Sequence, residues 1–257
     1  MEKDVRQRSG GDGEPVLLLL HGMGATSDVW AGCELPLARD WPGRWVAPDL
    51  PGHGGSPPLA HYTFDDVAAS IARGLRRSLD GCRDVVVLGH SLGGVLGLIL
   101  ASGAMDVPVR SVVGLGIKTL WTEADLARAK ELAQRPPSWF ASRDDAGARY
   151  LRVSGLAGLV PVDDPAVDAG LRAEDGRWRL AMDPAVFAIG APDMPGLLAR
   201  TRARVLLARG EHDAMVSDQD LARFGAPVVT LPRIGHNAHV ERPESVVRLC
   251  LAALSSP

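Results

Sequence analysis

The sequence predicts an α/β protein: a mostly parallel sheet flanked by helices, with a helical insertion in the second half of the chain. Three observations carry this. Short runs rich in Val and Leu recur at 16–20, 85–88, 109–117, 205–208 and 228–231, the pattern of strands buried on both faces. Helix-compatible segments lie between them at 65–79, 92–102, 218–224 and 244–254, and such alternation builds a parallel sheet covered on both sides. Residues 119–195 break the rhythm, holding helix-start signals and no strand-like run.

Taken in order, the first fifteen residues are polar and charged and lack the apolar core of a signal peptide. No apolar run is long enough to span a membrane. Cys33, Cys82 and Cys250 lie far apart and form no CxxC pair, as expected of free thiols in a reducing, cytoplasmic setting. With 257 residues, 46% hydrophobic and 23% charged, the chain has the composition of a globular domain with a sizeable core. A net charge of −3 offers no basic surface for nucleic acid. Lysine occurs only at Lys3, Lys118 and Lys130.

The insertion is read from its caps. Thr122 with Asp125, and Ser142 with Asp145, resemble capping boxes. Asp164-Pro165 and Asp183-Pro184 set a capping acid before a proline suited to the first helical position. The expected division is a core of residues 1–118 and 196–257 with a helical cap at 119–195.

The densest chemical signal is Val85-Val86-Val87-Leu88-Gly89-His90-Ser91-Leu92-Gly93-Gly94, a strand passing through Gly-x-Ser-x-Gly into a helix. A serine hydroxyl is a poor nucleophile at neutral pH and needs exposure and an adjacent base. A sharp strand-to-helix turn supplies the exposure, and Gly89, Gly93 and Gly94 give it room. The helix start also aims free N–H groups at an oxyanion formed there. Alone, the pattern also fits an ordinary strand–loop–helix corner; its place directly after an apolar strand favours a nucleophile.

Other strands end in suggestive loops. The first ends in His21-Gly22-Met23-Gly24, and Asp49-Leu50-Pro51-Gly52-His53-Gly54-Gly55-Ser56 follows. The strand at 205–208 leads to Glu211, Asp213 and Asp218, each a candidate acid, with helix capping the alternative for Asp213. The last strand leads to Gly235-His236-Asn237-Ala238-His239. His236, beside glycine, can reach back over the sheet to Ser91. His239 is the rival, and its plainer reading is a pocket-wall or structural histidine. The two lack the accompanying glutamate of an HExxH site, so no metal is expected.

In that order, HGMG, DLPGHGGS, GHSLGG, GEHD and GHNAHVERPE resemble the α/β-hydrolase superfamily, in particular its small bacterial esterases, enol-lactonases and aromatic-degradation hydrolases. The resemblance covers residues 14–117 and 200–255. It implies the α/β-hydrolase fold and a triad of Ser91, Asp213 and His236, the acid following from the family's chain order. It further implies an oxyanion hole from the N–H groups of Met23 and Leu92, with His21 and His53 structural. Serine at the nucleophile position sets the chain apart from haloalkane dehalogenases and epoxide hydrolases. Carbon–carbon hydrolases of ring-cleavage products often carry an aromatic residue where Asn237 stands.

The implied activity is cofactor-free hydrolysis of a carboxylic ester, or a related lactone or thioester, of a small organic substrate through an acyl-enzyme. Carbon–carbon hydrolysis, a cofactor-free lyase or perhydrolase, and a small-ligand binding protein with little turnover are the alternatives. Lys118, Trp121, Trp139 and His239 are the candidate pocket residues, with Phe140 and Phe187 beside them, though core packing explains the aromatics equally well. Lys118 ends the strand that enters the insertion. It is either a solvated charge or a partner for an anionic group on the substrate.

Overall fold

The computed structural model describes residues 5–255; residues 1–4, with Lys3, and 256–257 lie outside the described residues. The strands are β1 (Gln7–Gly10), β2 (Val16–Leu20), β3 (Trp45–Pro48), β4 (Val85–His90), β5 (Val109–Leu115), β6 (Leu171–Glu174), β7 (Arg177–Leu180), β8 (Arg204–Gly210) and β9 (Val228–Leu231). The helices are α1 (Glu34–Asp40), α2 (Phe64–Gly74), α3 (Leu92–Leu100), α4 (Glu123–Ala133), α5 (Arg143–Val153), α6 (Pro165–Asp168), α7 (Met194–Arg200), α8 (Asp218–Ala222), α9 (Ala238–Glu241) and α10 (Pro243–Ser255). A seven-stranded sheet has the order β1-β3-β2-β4-β5-β8-β9. Neighbours are parallel except β1, which pairs antiparallel with β3.

The sheet is buried on both faces, which explains its unbroken apolar runs. Val16, Leu18 and Leu20 of β2 join Val85 and Val87 of β4 in one core. Leu17 and Leu19 join Val86 and Leu88 in the other. Each face takes alternate residues because strand side chains alternate. The β2 leucines are at most 1% exposed, so each contributes about 1.5–3 kcal/mol of transfer free energy. On one face α2 and α3 supply Val67, Ile71, Leu96 and Leu98, and on the other α10 supplies Val246, Val247 and Leu249.

The Val- and Leu-rich runs mark neither β1 nor β3. Gln7–Gly10 is polar because it is an edge strand, and β3 holds only four residues and ends in proline. The stretch at 109–117 becomes a strand only to Leu115, ending where Gly116 turns to φ 62°.

From Gly116 to Ala203 the chain adds nothing to the main sheet. Thr122 forms the full capping box of α4, Ser142 caps α5, and Asp164 caps α6. Asp183 instead starts a 3-10 turn at Pro184–Ile189. The insertion is not wholly helical, as the caps alone imply: β6 and β7 form an antiparallel hairpin. Its turn, Asp175-Gly176, has φ of 49° and 71°, the paired positive values that favour Asp-Gly in tight hairpins. Mostly exposed, polar strands hide the hairpin from a reading of apolar runs.

Hydrogen bonds fasten this segment over the strand ends. Gly54 N–H donates to Ala181 O at 2.7 Å and Asp183 N–H to Gly52 O at 2.8 Å. Arg172 donates to Gly54 O at 2.6 Å. Because β2, β3, β4, β5, β8 and β9 are parallel, their carboxyl ends meet along one edge, where open α/β sheets gather ligands.

Candidate active site

Ser91 sits between β4 and α3 with φ 50° and ψ −114°. Such a conformation costs a non-glycine residue on the order of 1–3 kcal/mol and persists only where its surroundings impose it. Ser91 N–H donates to Leu115 O at 2.8 Å, and Ser91 O accepts from Gly94 N–H at 3.0 Å. Beneath it the chain leaves no room: a Cβ on Gly93 would lie 2.2 Å from Leu20 O, and one on Gly89 2.2 Å from Gly93 O.

Ser91 and His236 line one cavity of about 400 Å³. His236 Nδ1 lies 2.8 Å from Asp213 Oδ2. A carboxylate only accepts, so Nδ1 carries a proton, and in the neutral imidazole Nε2 then keeps its lone pair. The Asp213 side chain is fully buried, and its Oδ1 accepts Met215 N–H at 2.9 Å. The rival acids are occupied elsewhere: Glu211 accepts Arg233 N–H at 2.8 Å, and Asp218 pairs with Arg209 at 3.0 Å.

Sequence reasoning missed the residues that brace these loops. Buried Arg209 donates to Val216 O at 2.6 Å and Glu211 O at 2.9 Å, tying the Asp213 loop to the end of β8. Glu241 accepts Gly235 N–H with both carboxylate oxygens, at 3.1 and 2.9 Å, and so fixes the loop carrying His236. Asn237 donates to Gly155 O at 2.8 Å, joining that loop to the end of the α5 segment. A lone arginine at the end of an apolar strand is the only sequence signal for the first of these.

The loop after β2 is held by two buried histidines. His21 Nδ1 donates to Gly22 O at 2.8 Å, while its Nε2 accepts Leu50 N–H at 2.9 Å. His53 Nε2 accepts Gly24 N–H at 3.1 Å. Beneath them Asp49 accepts from Ser27 and Gly55 N–H groups and pairs with Arg6 at 3.1 Å. Among the described residues no acceptor takes the N–H of Met23 or of Leu92. Both residues line the cavity with Ser91.

The candidate pocket residues divide. Lys118 and Trp121 line the cavity with Phe64, Val95 and Phe187. Lys118 Nζ is not a free charge: it lies 2.9 Å from Asp125 and 4.6 Å from the Trp121 ring centroid. Trp139 is outside the cavity, exposed beneath the guanidinium groups of Arg177 and Arg179 at 5.1 and 5.5 Å. Phe140 is likewise used structurally, bridging to Trp178. His239 is not in the wall either. It is buried behind it, 4.6 Å from Trp30 and 4.4 Å from His90 between ring centroids, and burial pushes its pKa down to about 3. His90 in turn donates from Nε2 to His236 O at 3.1 Å, and burial, reinforced by the neighbouring His239 and His236, holds it well below the usual histidine range.

Among the described residues no cluster of His, Cys, Asp or Glu could hold a metal ion, and no helix is long and apolar enough to cross a membrane.

The chain is 30% identical to lipase LipV of Mycobacterium tuberculosis, over 96% of each protein. It is also 30% identical to a 2-succinyl-6-hydroxy-2,4-cyclohexadiene-1-carboxylate synthase of Escherichia coli, over 95% of each. Its fold matches the crystal structure of E-2-(acetamidomethylene)succinate hydrolase with a TM-score of 0.79 and 25% identity, covering 98% of this chain and 95% of that one. Residues 17–249 match the model of the alpha/beta hydrolase family, to which this chain therefore belongs.

Proposed function

We propose that the protein is a serine hydrolase that cleaves a carboxylic ester, or a related thioester or lactone, of a small organic substrate through an acyl-enzyme. The observation that carries this is one cavity in which Ser91, on a positive-φ turn, faces the same space as a histidine paired at 2.8 Å with a buried carboxylate. His236 Nε2 takes the hydroxyl proton as Ser91 Oγ attacks the carbonyl, and Asp213 holds the imidazole in the required tautomer. The oxyanion is met by the N–H groups of Met23 and Leu92, and one such donor is typically worth about 3 kcal/mol. The imidazolium protonates the leaving group; His236 then draws a proton from water as the water oxygen attacks the acyl carbon, and returns that proton to Ser91 Oγ as the acyl–oxygen bond breaks and the acid leaves. The segment at 119–195 acts as the cap that walls the substrate. Free cysteines, two of them buried, fit a cytoplasmic enzyme.

A fluorophosphonate probe tests this. It is expected to label the wild type on Ser91 and to leave Ser91→Ala unlabelled, with hydrolysis of an activated ester reduced at least a thousandfold. Labelling elsewhere, or a mutant retaining more than about a hundredth of the rate, sinks the reading.

Similarity to the synthase favours a second reading, in which the same three side chains run cofactor-free synthase or lyase chemistry. Mass spectrometry of the quenched enzyme separates the two: an acyl adduct on Ser91 belongs only to the first.

A further inference from the structure

Four residues of α4, Asp125, Arg128, Ala129 and Leu132, line the cavity that holds Ser91. Their i, i+3, i+4, i+7 spacing makes them one helix face. Yet α4 buries none of its own residues. Asp125, Ala129 and Leu132 are half-buried and Arg128 is exposed, so this face borders the cavity rather than a closed core, and its composition describes what the cavity receives.

That composition is apolar with a surplus of positive charge. Asp125 is matched by Lys118 at 2.9 Å. Arg128, and Arg152 at the end of α5, also line the cavity, and among the described residues neither has an ion-pair partner. Of the neighbouring arginines, Arg135 pairs with Glu131 and Arg143 with Asp168 at 2.7 Å, while Arg149, also without an ion-pair partner among the described residues, lines a separate pocket. Both Arg128 and Arg152 are exposed, which puts them at the mouth, while Leu92, Val95 and Phe187 make the wall within apolar. Guanidinium groups match the planar oxygens of carboxylate and phosphate.

We infer that the substrate carries an anionic group, carboxylate or phosphate, held by Arg128 and Arg152 at the mouth and separated by an apolar spacer from the carbonyl at Ser91. This rests on the reading of Ser91 as the nucleophile. It also moves the anion site away from Lys118, whose charge is already matched.

The test compares two matched pairs of substrates. In the first, mono-p-nitrophenyl adipate is set against its methyl ester, placing a carboxylate on the acyl side. In the second, S-acetyl phosphopantetheine is set against S-acetyl pantetheine, placing a phosphate on the leaving side. The wild type is expected to favour the charged member of one pair by about tenfold in kcat/KM, since each solvent-exposed charge pair is worth about threefold. That preference is expected to shrink as salt is raised. Arg128→Gln/Arg152→Gln removes most of the charged-to-neutral ratio, and Arg128→Lys/Arg152→Lys keeps more of it; melting curves establish that both variants fold. A ratio near one in both pairs, or one unchanged in the glutamine variant, overturns the inference. If no substrate is turned over, the hydrolase reading fails separately. Calorimetry with monomethyl adipate and dimethyl adipate then decides the anion site: preference for the anion, lost in the glutamine variant, supports it, and equal binding overturns it.

Discussion

Replacing Asp213 with asparagine separates the shape of the acid from its charge. The carboxylate is fully buried, with Oδ2 2.8 Å from His236 Nδ1 and Oδ1 accepting Met215 N–H at 2.9 Å. In Asp213→Asn the carbonyl oxygen keeps the Met215 N–H, which turns the amide nitrogen towards Nδ1. An amide nitrogen only donates, so Nδ1 must become the acceptor and Nε2 must carry the ring proton. Nε2 then has no lone pair for the Ser91 hydroxyl, and the imidazolium loses its counter-charge. For the proposed triad, the wrong tautomer is expected to lower kcat about 10⁴-fold, roughly 5.5 kcal/mol of barrier. No polar group is stranded, so the melting temperature is expected to fall by less than about 4 °C. The assay is kcat/KM for p-nitrophenyl butyrate beside thermal melting. A folded Asp213→Asn retaining more than about a tenth of the activity refutes the tautomer argument. Glu211→Gln and Asp218→Asn, whose carboxylates serve Arg233 and Arg209, are expected to stay within about threefold of wild type.

Other outcomes follow from the geometry. Gly93→Ala sets a methyl 2.2 Å from Leu20 O, so it is expected to lower stability by about 2 kcal/mol or more in urea unfolding and to reduce activity with it; an unchanged midpoint excludes the tight fit. Burial pushes the pKa of His53 and His239 down from the ordinary 6.5 to about 3. The unfolded chain takes up these protons near pH 6.5 and the folded chain refuses them, so stability is present above about pH 7 and falls as the pH drops towards 3. At pH 5.5 the two together cost about 3 kcal/mol, and a protein as stable at pH 5.5 as at 7.5 contradicts this. His239→Phe, which removes two buried ring nitrogens that have no partner among the described residues, is expected to flatten that slope.

The central strands were legible because burial on both faces leaves no polar residue to interrupt them. Val16–Leu20 and Val85–His90 could be little else, and the glycines of the elbow follow from the contacts measured at Gly89 and Gly93. The sheet edge was less legible, since β1 shows one side to solvent and reads as a polar leader. The hairpin of β6 and β7 was hidden for the same reason, though Asp175-Gly176 marks its turn. Asp164-Pro165 and Asp183-Pro184 looked alike in sequence, yet one caps an α-helix and the other a 3-10 turn. A cap motif fixes where a turn begins and says nothing about how far it continues.

The same limit governs the histidines, of which the chain has seven. Sequence could place His236 and His239 on one loop but could not weigh their burial. His21, His53, His90 and His239 are buried, and their burial disfavours the imidazolium that a base must become. His61 and His212 are exposed and absent from the Ser91 cavity. His236 alone is partly exposed to that cavity while its far nitrogen meets a buried carboxylate. The buried set still acts on the site at one remove: His53 fixes Gly24 beside Met23, and His90 holds the carbonyl of His236 itself. One residue type thus serves two opposite ends. It is a neutral hydrogen-bonding brace where water is excluded, and a candidate proton carrier at His236, where a buried carboxylate and the Ser91 cavity meet on one imidazole.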